Sequence, residues 1–188
     1  MILWVDVKSD VDSGELFLEH PEDRLTHSKN SAKPAEAQTL VQALQQWPNQ
    51  RFILNIVDNV MNIHFTVINS IKDLDPDQRI LIQSETDVLL RSIKERKPQW
   101  LYGSSRADLM RWLSFQSIGI LPATPLKGDV FIVPLNYRPN KASLNPGVIE
   151  ELLRRNKKLI IGPLKTAEEL VQAQNFKADG YVIDFKSF

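Results

Sequence analysis

ILWVDVKSDVDSGELFLEHPEDR, residues 2–24, is the stretch on which the fold turns. Its apolar segment Ile2–Val7 reads as a buried strand, Asp10–Gly14 as a polar turn, and Glu15–Glu19 as a second strand that delivers His20 beside the end of the first. Two strands joined by a glycine-containing polar turn form a hairpin. Asp6 ends one strand and His20 the other. A carboxylate and an imidazole at neighbouring strand ends can bind a metal or exchange protons. The same two residues also read as a turn cap and a surface histidine.

Working outward, the chain alternates between two periods. Arg51–Val57, Arg79–Gln83, Trp100–Gly103, Val130–Val133, Lys158–Ile161 and Tyr181–Phe185 are short apolar runs bounded by polar residues, the pattern of strands buried in a parallel sheet. Between them lie helical spacings. Pro34 opens one through Leu40, Val41 and Leu44, and Trp47-Pro48-Asn49 stops it. Val60, Ile63, Val67, Ile68 and Ile71 form the apolar side of another, with His64 among them as a core histidine more readily than a ligand. Helices also follow Ser84, span the residues around Leu109–Leu113 and occupy Val148–Arg155. A last one begins at Thr166, with Glu169 at its capping-box position. Residues 136–146 read as a proline-rich loop.

Strand–helix alternation of this kind specifies parallel strands. Ile2, Arg51, Arg79, Trp100, Val130, Lys158 and Tyr181 start seven of them, in addition to the hairpin strand. A closed eight-stranded α/β barrel takes roughly 250 residues. The 188 residues therefore predict a single-domain, TIM-barrel-like α/β fold over 1–188 that lacks its first strand–helix unit and carries a β-hairpin after its first strand. The alternative is an open doubly wound sheet, but no glycine-rich phosphate fingerprint follows any strand.

Composition narrows the classes of function. Hydrophobic residues make up 43% of the chain, enough for a substantial core. The 23 basic and 23 acidic side chains cancel and form no basic block, which argues against a nucleic-acid footprint. No apolar run is long enough to span a membrane and no signal peptide is visible. The sequence has no cysteine, so disulfides, thiolate zinc sites and a cysteine nucleophile are excluded, and a cytoplasmic location is expected. Neither a Gly-x-Ser-x-Gly elbow nor a P-loop occurs. In a parallel barrel, chemistry sits at the strand C-terminal ends. Those ends carry Asp6, Lys8, Asn55, Gln83, Ser84, Tyr102, Ser104, Asn136, Gly162 and Asp184, with His20 joining from the hairpin.

These pieces carry a resemblance. VDVKSDVDSGELFLEHPEDR, FILNI, ILIQS and LIIGPLKTAEELVQAQNFKADGYVIDF resemble the glycerophosphodiester phosphodiesterase family, of the PLC-like phosphodiesterase superfamily. Asp6-Val7 stands at the family's Asp-Val, Ser13-Gly14 at its turn, His20 at its histidine, Gln83-Ser84 at its Gln-Ser and Asp179-Gly180 at the entry to its last strand. The resemblance implies a metal-dependent hydrolase of lipid metabolism that acts on a small phosphodiester with Mg or Ca as divalent cation. On this chain it implies Asp6 as metal ligand, His20 as the catalytic acid or base, and Asn55, Gln83 and Lys8 as substrate-binding residues. The departures are equally specific. Trp4 stands at a metal-binding glutamate, Asn55 and Val57 at the family's Glu-x-Lys, Pro21 at the aspartate after the histidine, and the first strand unit with the other histidine is not in the sequence. Loss of a positioned acid or base typically costs about 10²–10⁴ in rate. The expectation is therefore hydrolysis that is weak or lost, and the alternative a non-catalytic binding module, a pseudoenzyme. Met1 abutting a strand suggests a chain shorter than the fold, with exposed edges on Ile2–Val7 and Tyr181–Phe185 that a homodimer, or closure of the first strand against the last, would cover.

Overall fold

The structure, a computed structural model, describes residues 2–19, 32–117, 119–120, 125–138, 141–142 and 144–183. It divides into two compact units, Met1–Tyr102 and Gly103–Phe188.

The first unit runs β1 (Ile2–Ser9), β2 (Leu16–Glu19), α1 (Leu40–Gln46), β3 (Arg51–Ile56), α2 (Ile63–Ile71), α3 (Pro76–Arg79), β4 (Ile80–Gln83), α4 (Asp87–Arg96) and β5 (Leu101–Tyr102). Its sheet has the order β2-β1-β3-β4-β5. β1 pairs antiparallel with β2, as the hairpin reading requires, and parallel with β3, after which β4 and β5 add in parallel. Alternation along a strand sends successive side chains to opposite faces. On one face Val7, Phe52, Leu54, Ile56, Ile80, Ile82 and Tyr102 pack with the apolar sides of α1, α2 and α4 into a single core.

Local chemistry fixes the elements of this unit. In the hairpin turn Asp10 Oδ2 accepts from the Ser13 amide at 3.1 Å and the Ser13 hydroxyl at 2.5 Å, and Oδ1 accepts from the Lys33 amide at 2.8 Å. Gly14 takes the left-handed conformation, φ 71°, that lets the chain re-enter β2. The Ser13 hydroxyl bond, followed by the Lys33 and Ser13 amides, holds the Asp10 carboxyl down at about 2, against an ordinary 3.8. A carboxyl depressed in the folded state stabilises it above the ordinary pKa and loses that contribution as pH falls through the lower one. Asp10→Asn should therefore lower the thermal midpoint at neutral pH and flatten its decline between about pH 4 and pH 2. A wild-type and variant midpoint series across that range checks it, and parallel curves would refute it.

The first helix departs from the sequence reading. Pro34 opens only a turn, closed by Ala37 N–H donating to Pro34 O. The helix starts at Leu40 because Thr39 and Gln42 form a reciprocal capping box. Two orphan amide groups satisfied at once outweigh a proline that is merely compatible with a first turn. Arg79 then closes the far end of α1, donating to the carbonyls of Leu44 and Trp47.

The second unit runs α5 (Arg106–Ser117), β6 (Val130–Val133), β7 (Asn136–Arg138), β8 (Lys141–Ala142), α6 (Pro146–Arg154), β9 (Lys158–Leu164), α7 (Ala167–Gln174) and β10 (Gly180–Ile183). Parallel strands form a sheet of order β10-β9-β6. β7 and β8 make a small antiparallel ribbon where the sequence reads as loop. Proline and asparagine there hide two very short strands. Trp112, Phe131, Val133, Leu159, Ile161 and Leu164 form a separate core, with Trp112 and Phe131 rings 5.3 Å apart and tilted. Buried Glu151 on α6 accepts from Arg154 Nε at 2.8 Å and Nη2 at 2.6 Å, and from Arg155 Nε. The forked Arg154 bond, set against burial, brings the Glu151 carboxyl to about 2. Thr166 caps α7 as expected, accepting from the Glu169 amide, while the Glu169 carboxylate reaches the Lys165 amide.

Asp179 shows what the Asp-Gly entry to the last strand does here. Burial pulls its carboxyl upward, but the Leu159 amide at 2.9 Å and the Lys158 ammonium at 2.9 Å outweigh it and hold the pKa below the ordinary value. Asp179 thus fastens the start of β10 to the start of β9.

The parallel strands β1, β3, β4 and β5 of the first unit and β6, β9 and β10 of the second correspond to the seven read from the sequence, with starts displaced by at most one residue.

Candidate functional site

The second face of the β1–β5 sheet carries the chemistry. Register pairs place Glu19 of β2 opposite Asp6 of β1, Asp6 beside Asn55 of β3, and Asn55 beside Gln83 of β4. One row of four polar side chains thus crosses four strands, in the C-terminal halves of the parallel strands β1, β3 and β4. The row beneath it, toward the N-termini of the parallel strands, is Trp4, Ile53, Leu81 and Leu101. Lys8 stands two residues beyond Asp6 on the same face. The polar row is therefore seated on an apolar floor, and Asp6, Lys8, Glu19 and Gln83 are all buried.

Most buried polar atoms find a partner, and Glu19 Oε2 is an exception among the described residues. Asp6 Oδ1 accepts from Asn55 Nδ2 at 2.7 Å and from the Trp4 indole Nε1 at 3.1 Å. Lys8 Nζ lies 2.6 Å from Glu19 Oε1, with side-chain exposures of 7% and 3%. This contact runs diagonally across the β1–β2 ladder, since Lys8 itself faces Phe17. A third carboxylate, Asp58, accepts from the Ser9 amide at 2.7 Å and the Ser9 hydroxyl at 3.2 Å, tying the segment after β3 to the end of β1.

Of the residues singled out in the sequence, the structure brings together Asp6, Lys8, Asn55 and Gln83. His20 and Asp184 lie outside the described residues. Tyr102 belongs to the other face, where its ring is buried in the core and its hydroxyl donates to the Lys97 carbonyl at 2.7 Å. Ser84 donates to the Ile56 carbonyl at 2.8 Å and receives the Thr86 amide, so its hydroxyl joins the end of β3 to the start of α4. Sequence reasoning passed over Glu19. The signal was present: Glu19 and Phe17 alternate in phase with the face opposite Leu16 and Leu18, and an antiparallel hairpin puts that face beside Asp6.

A divalent cation such as Mg or Ca requires several hard oxygens turned toward one point. Here Asn55 turns its amide nitrogen to Asp6, because a carboxylate only accepts. Trp4 offers a second N–H to the same oxygen, and Glu19 is engaged by an ammonium. Among the described residues no group of three or more His, Asp or Glu is placed to hold a metal ion. The donor set seen here does not fit a divalent cation.

No protein-family model matches the sequence. No curated protein matches it either. Solved structures do match. The glycerophosphoryl diester phosphodiesterase domain of a Mycobacterium tuberculosis protein superposes with a TM-score of 0.73 at 14% identity, covering 96% of this chain and 83% of that one. A glycerophosphodiester phosphodiesterase from Parabacteroides distasonis gives 0.70 at 12% identity, over 97% and 79%. An Oleispira antarctica phosphodiesterase, solved in complex with the product sn-glycerol-3-phosphate, gives 0.67 at 12%, over 98% and 81%. The fold class is therefore the one read from the sequence, α/β and TIM-barrel-like. More narrowly, the chain has a glycerophosphodiester phosphodiesterase-like fold along nearly its whole length. Among the described residues no helix is long and apolar enough to cross a membrane.

Proposed function

We propose that this chain is a glycerophosphodiester phosphodiesterase-like protein whose metal-dependent hydrolysis is weak or lost, retaining a polar site for a small phosphodiester. In this reading residues 1–188 are one domain, Lys8, Asn55 and Gln83 contact the ligand, His20 exchanges the proton, and Asp6 stands at the metal position. The observation that carries it is the double N–H engagement of Asp6 Oδ1 by Trp4 and Asn55. The carboxylate best placed to hold a cation is already satisfied by neutral donors. Location in the cytoplasm belongs to the same reading. So does a homodimer through the edge of β1 at residues 2–5, which β2 leaves uncovered.

Release of glycerol-3-phosphate from glycerophosphodiesters, with Mg or Ca present, tests the reading. Turnover should be absent, or residual and lowered a further 10²-fold or so by His20→Ala. Robust turnover would overturn the loss of hydrolysis, and residual turnover indifferent to His20→Ala would remove His20 from its role. A second reading, the non-catalytic binding module, is favoured by the buried Lys8–Glu19 pair, which fills the polar face with fixed charges. Calorimetric binding of a glycerophosphodiester in chelator, without turnover, would select it.

A further inference from the structure

We infer that the Lys8 ammonium is a built-in counter-ion standing where this face would otherwise take a divalent cation, so that the folded chain gains no stability from Mg or Ca. Asp6 and Glu19 are direct partners across an antiparallel ladder. Side chains in that relation have Cβ atoms roughly 4.5–5.5 Å apart, and like charges there repel. Both carboxylates are buried, which sharpens the repulsion. A cation between or beside them is the ordinary remedy.

The chain supplies one from its own side chains. Lys8, on the same strand and face as Asp6, places Nζ 2.6 Å from Glu19 Oε1 and is itself 6% exposed. Because it is tethered, its ammonium does not exchange with solvent ions. A divalent cation entering here would meet that ammonium, the Trp4 and Asn55 N–H groups already on Asp6, and the apolar floor below. Removing the ammonium leaves the Asp6 and Glu19 carboxylates opposite one another without the Lys8 cation beside them. Their carboxylate oxygens are the hard donors that a divalent cation prefers.

The inference rests on the site placement proposed above but not on the fate of hydrolysis. A chain that turned over glycerophosphodiesters with no response to cations would remove the earlier reading and keep this one. Thermal unfolding of the whole chain, titrated with Mg, Ca and Mn in chelator-treated buffer, is the test. The wild-type midpoint should not move beyond the effect of matched ionic strength. Lys8→Met should gain a cation-dependent rise of roughly 5–10 °C at about a hundred times the dissociation constant, and Lys8→Met/Asp6→Asn should lose it. A wild-type midpoint that climbs with cation and no longer does so in Asp6→Asn overturns the inference. So does a folded Lys8→Met protein that shows no rise. Should Lys8→Met not fold, the wild-type titration decides alone, a rise against and constancy in favour.

Discussion

Lys8→Met should destabilise the chain by about 3–5 kcal/mol in metal-free buffer, the range for breaking a buried ion pair from one side. The two side chains are 7% and 3% exposed, so removing the ammonium leaves the Glu19 carboxylate in a desolvated position directly opposite Asp6. Methionine keeps the length and the methylene packing of lysine, and the loss is therefore one of charge rather than volume. The double variant Lys8→Met/Glu19→Met should recover most of the deficit, because exchanging both ions for apolar groups is close to neutral. Urea unfolding with unchanged m-values would show this as a midpoint that falls in the single variant and returns in the double. If single and double variants fell together, the pair would be contributing through packing alone, and the electrostatic account of this face would fail.

The contrast between Lys8 and Asp6 explains how much of the site could be read before the structure. Asp6, Asn55, Lys8 and Gln83 are polar residues at the ends of apolar runs. Strand C-termini are where a parallel α/β fold concentrates polar chemistry, so composition along the chain was enough to find them. Their partners were not recoverable in the same way. Whether Asn55 faces Asp6 depends on the register of β1 against β3, and a slip of one residue would send it to the core face. Glu19 and Trp4 escaped for a related reason. Neither lies at the C-terminal end of a parallel strand, and each reaches the site only through alternation and pairing. Tyr102 failed in the opposite direction: it sits at a strand end, but its phase directs it into the core.

The same logic sorts the fold. Strand starts were legible to within a residue because four to six consecutive apolar residues bounded by polar ones leave little freedom. Helix α1 was misplaced because proline is a permissive signal, whereas the Thr39–Gln42 capping box satisfies specific backbone groups. Asp179 and Ser84 had family positions in the sequence, yet in the structure their bonds join neighbouring elements. For these residues a motif marks a joint of the architecture.

Gly162→Ala should cost about 3 kcal/mol, for a reason that no sequence pattern announces. Gly162 lies in β9 with φ 148°, a left-handed-side conformation that L-residues rarely adopt. A Cβ added there would stand 2.5 Å from the Val182 carbonyl oxygen and 2.8 Å from its Cβ. The obstruction is backbone of the paired strand β10, which has no rotamer to change, and the register between β9 and β10 already shifts at this point. Relief requires β10 to move away from β9, loosening Tyr181 from the core it packs against. Gly14→Ala is the control. Gly14 also has positive φ, 71°, but nothing lies within 4 Å of its Cβ position, so its cost should be only about 1 kcal/mol. Hydrogen exchange should separate the two: in Gly162→Ala, protection should fall at the amides of Gly180–Ile183 while that of β1 and β3 is kept. Equal costs at the two glycines would show that backbone conformation alone matters, and that the close approach of β10 carries no penalty of its own.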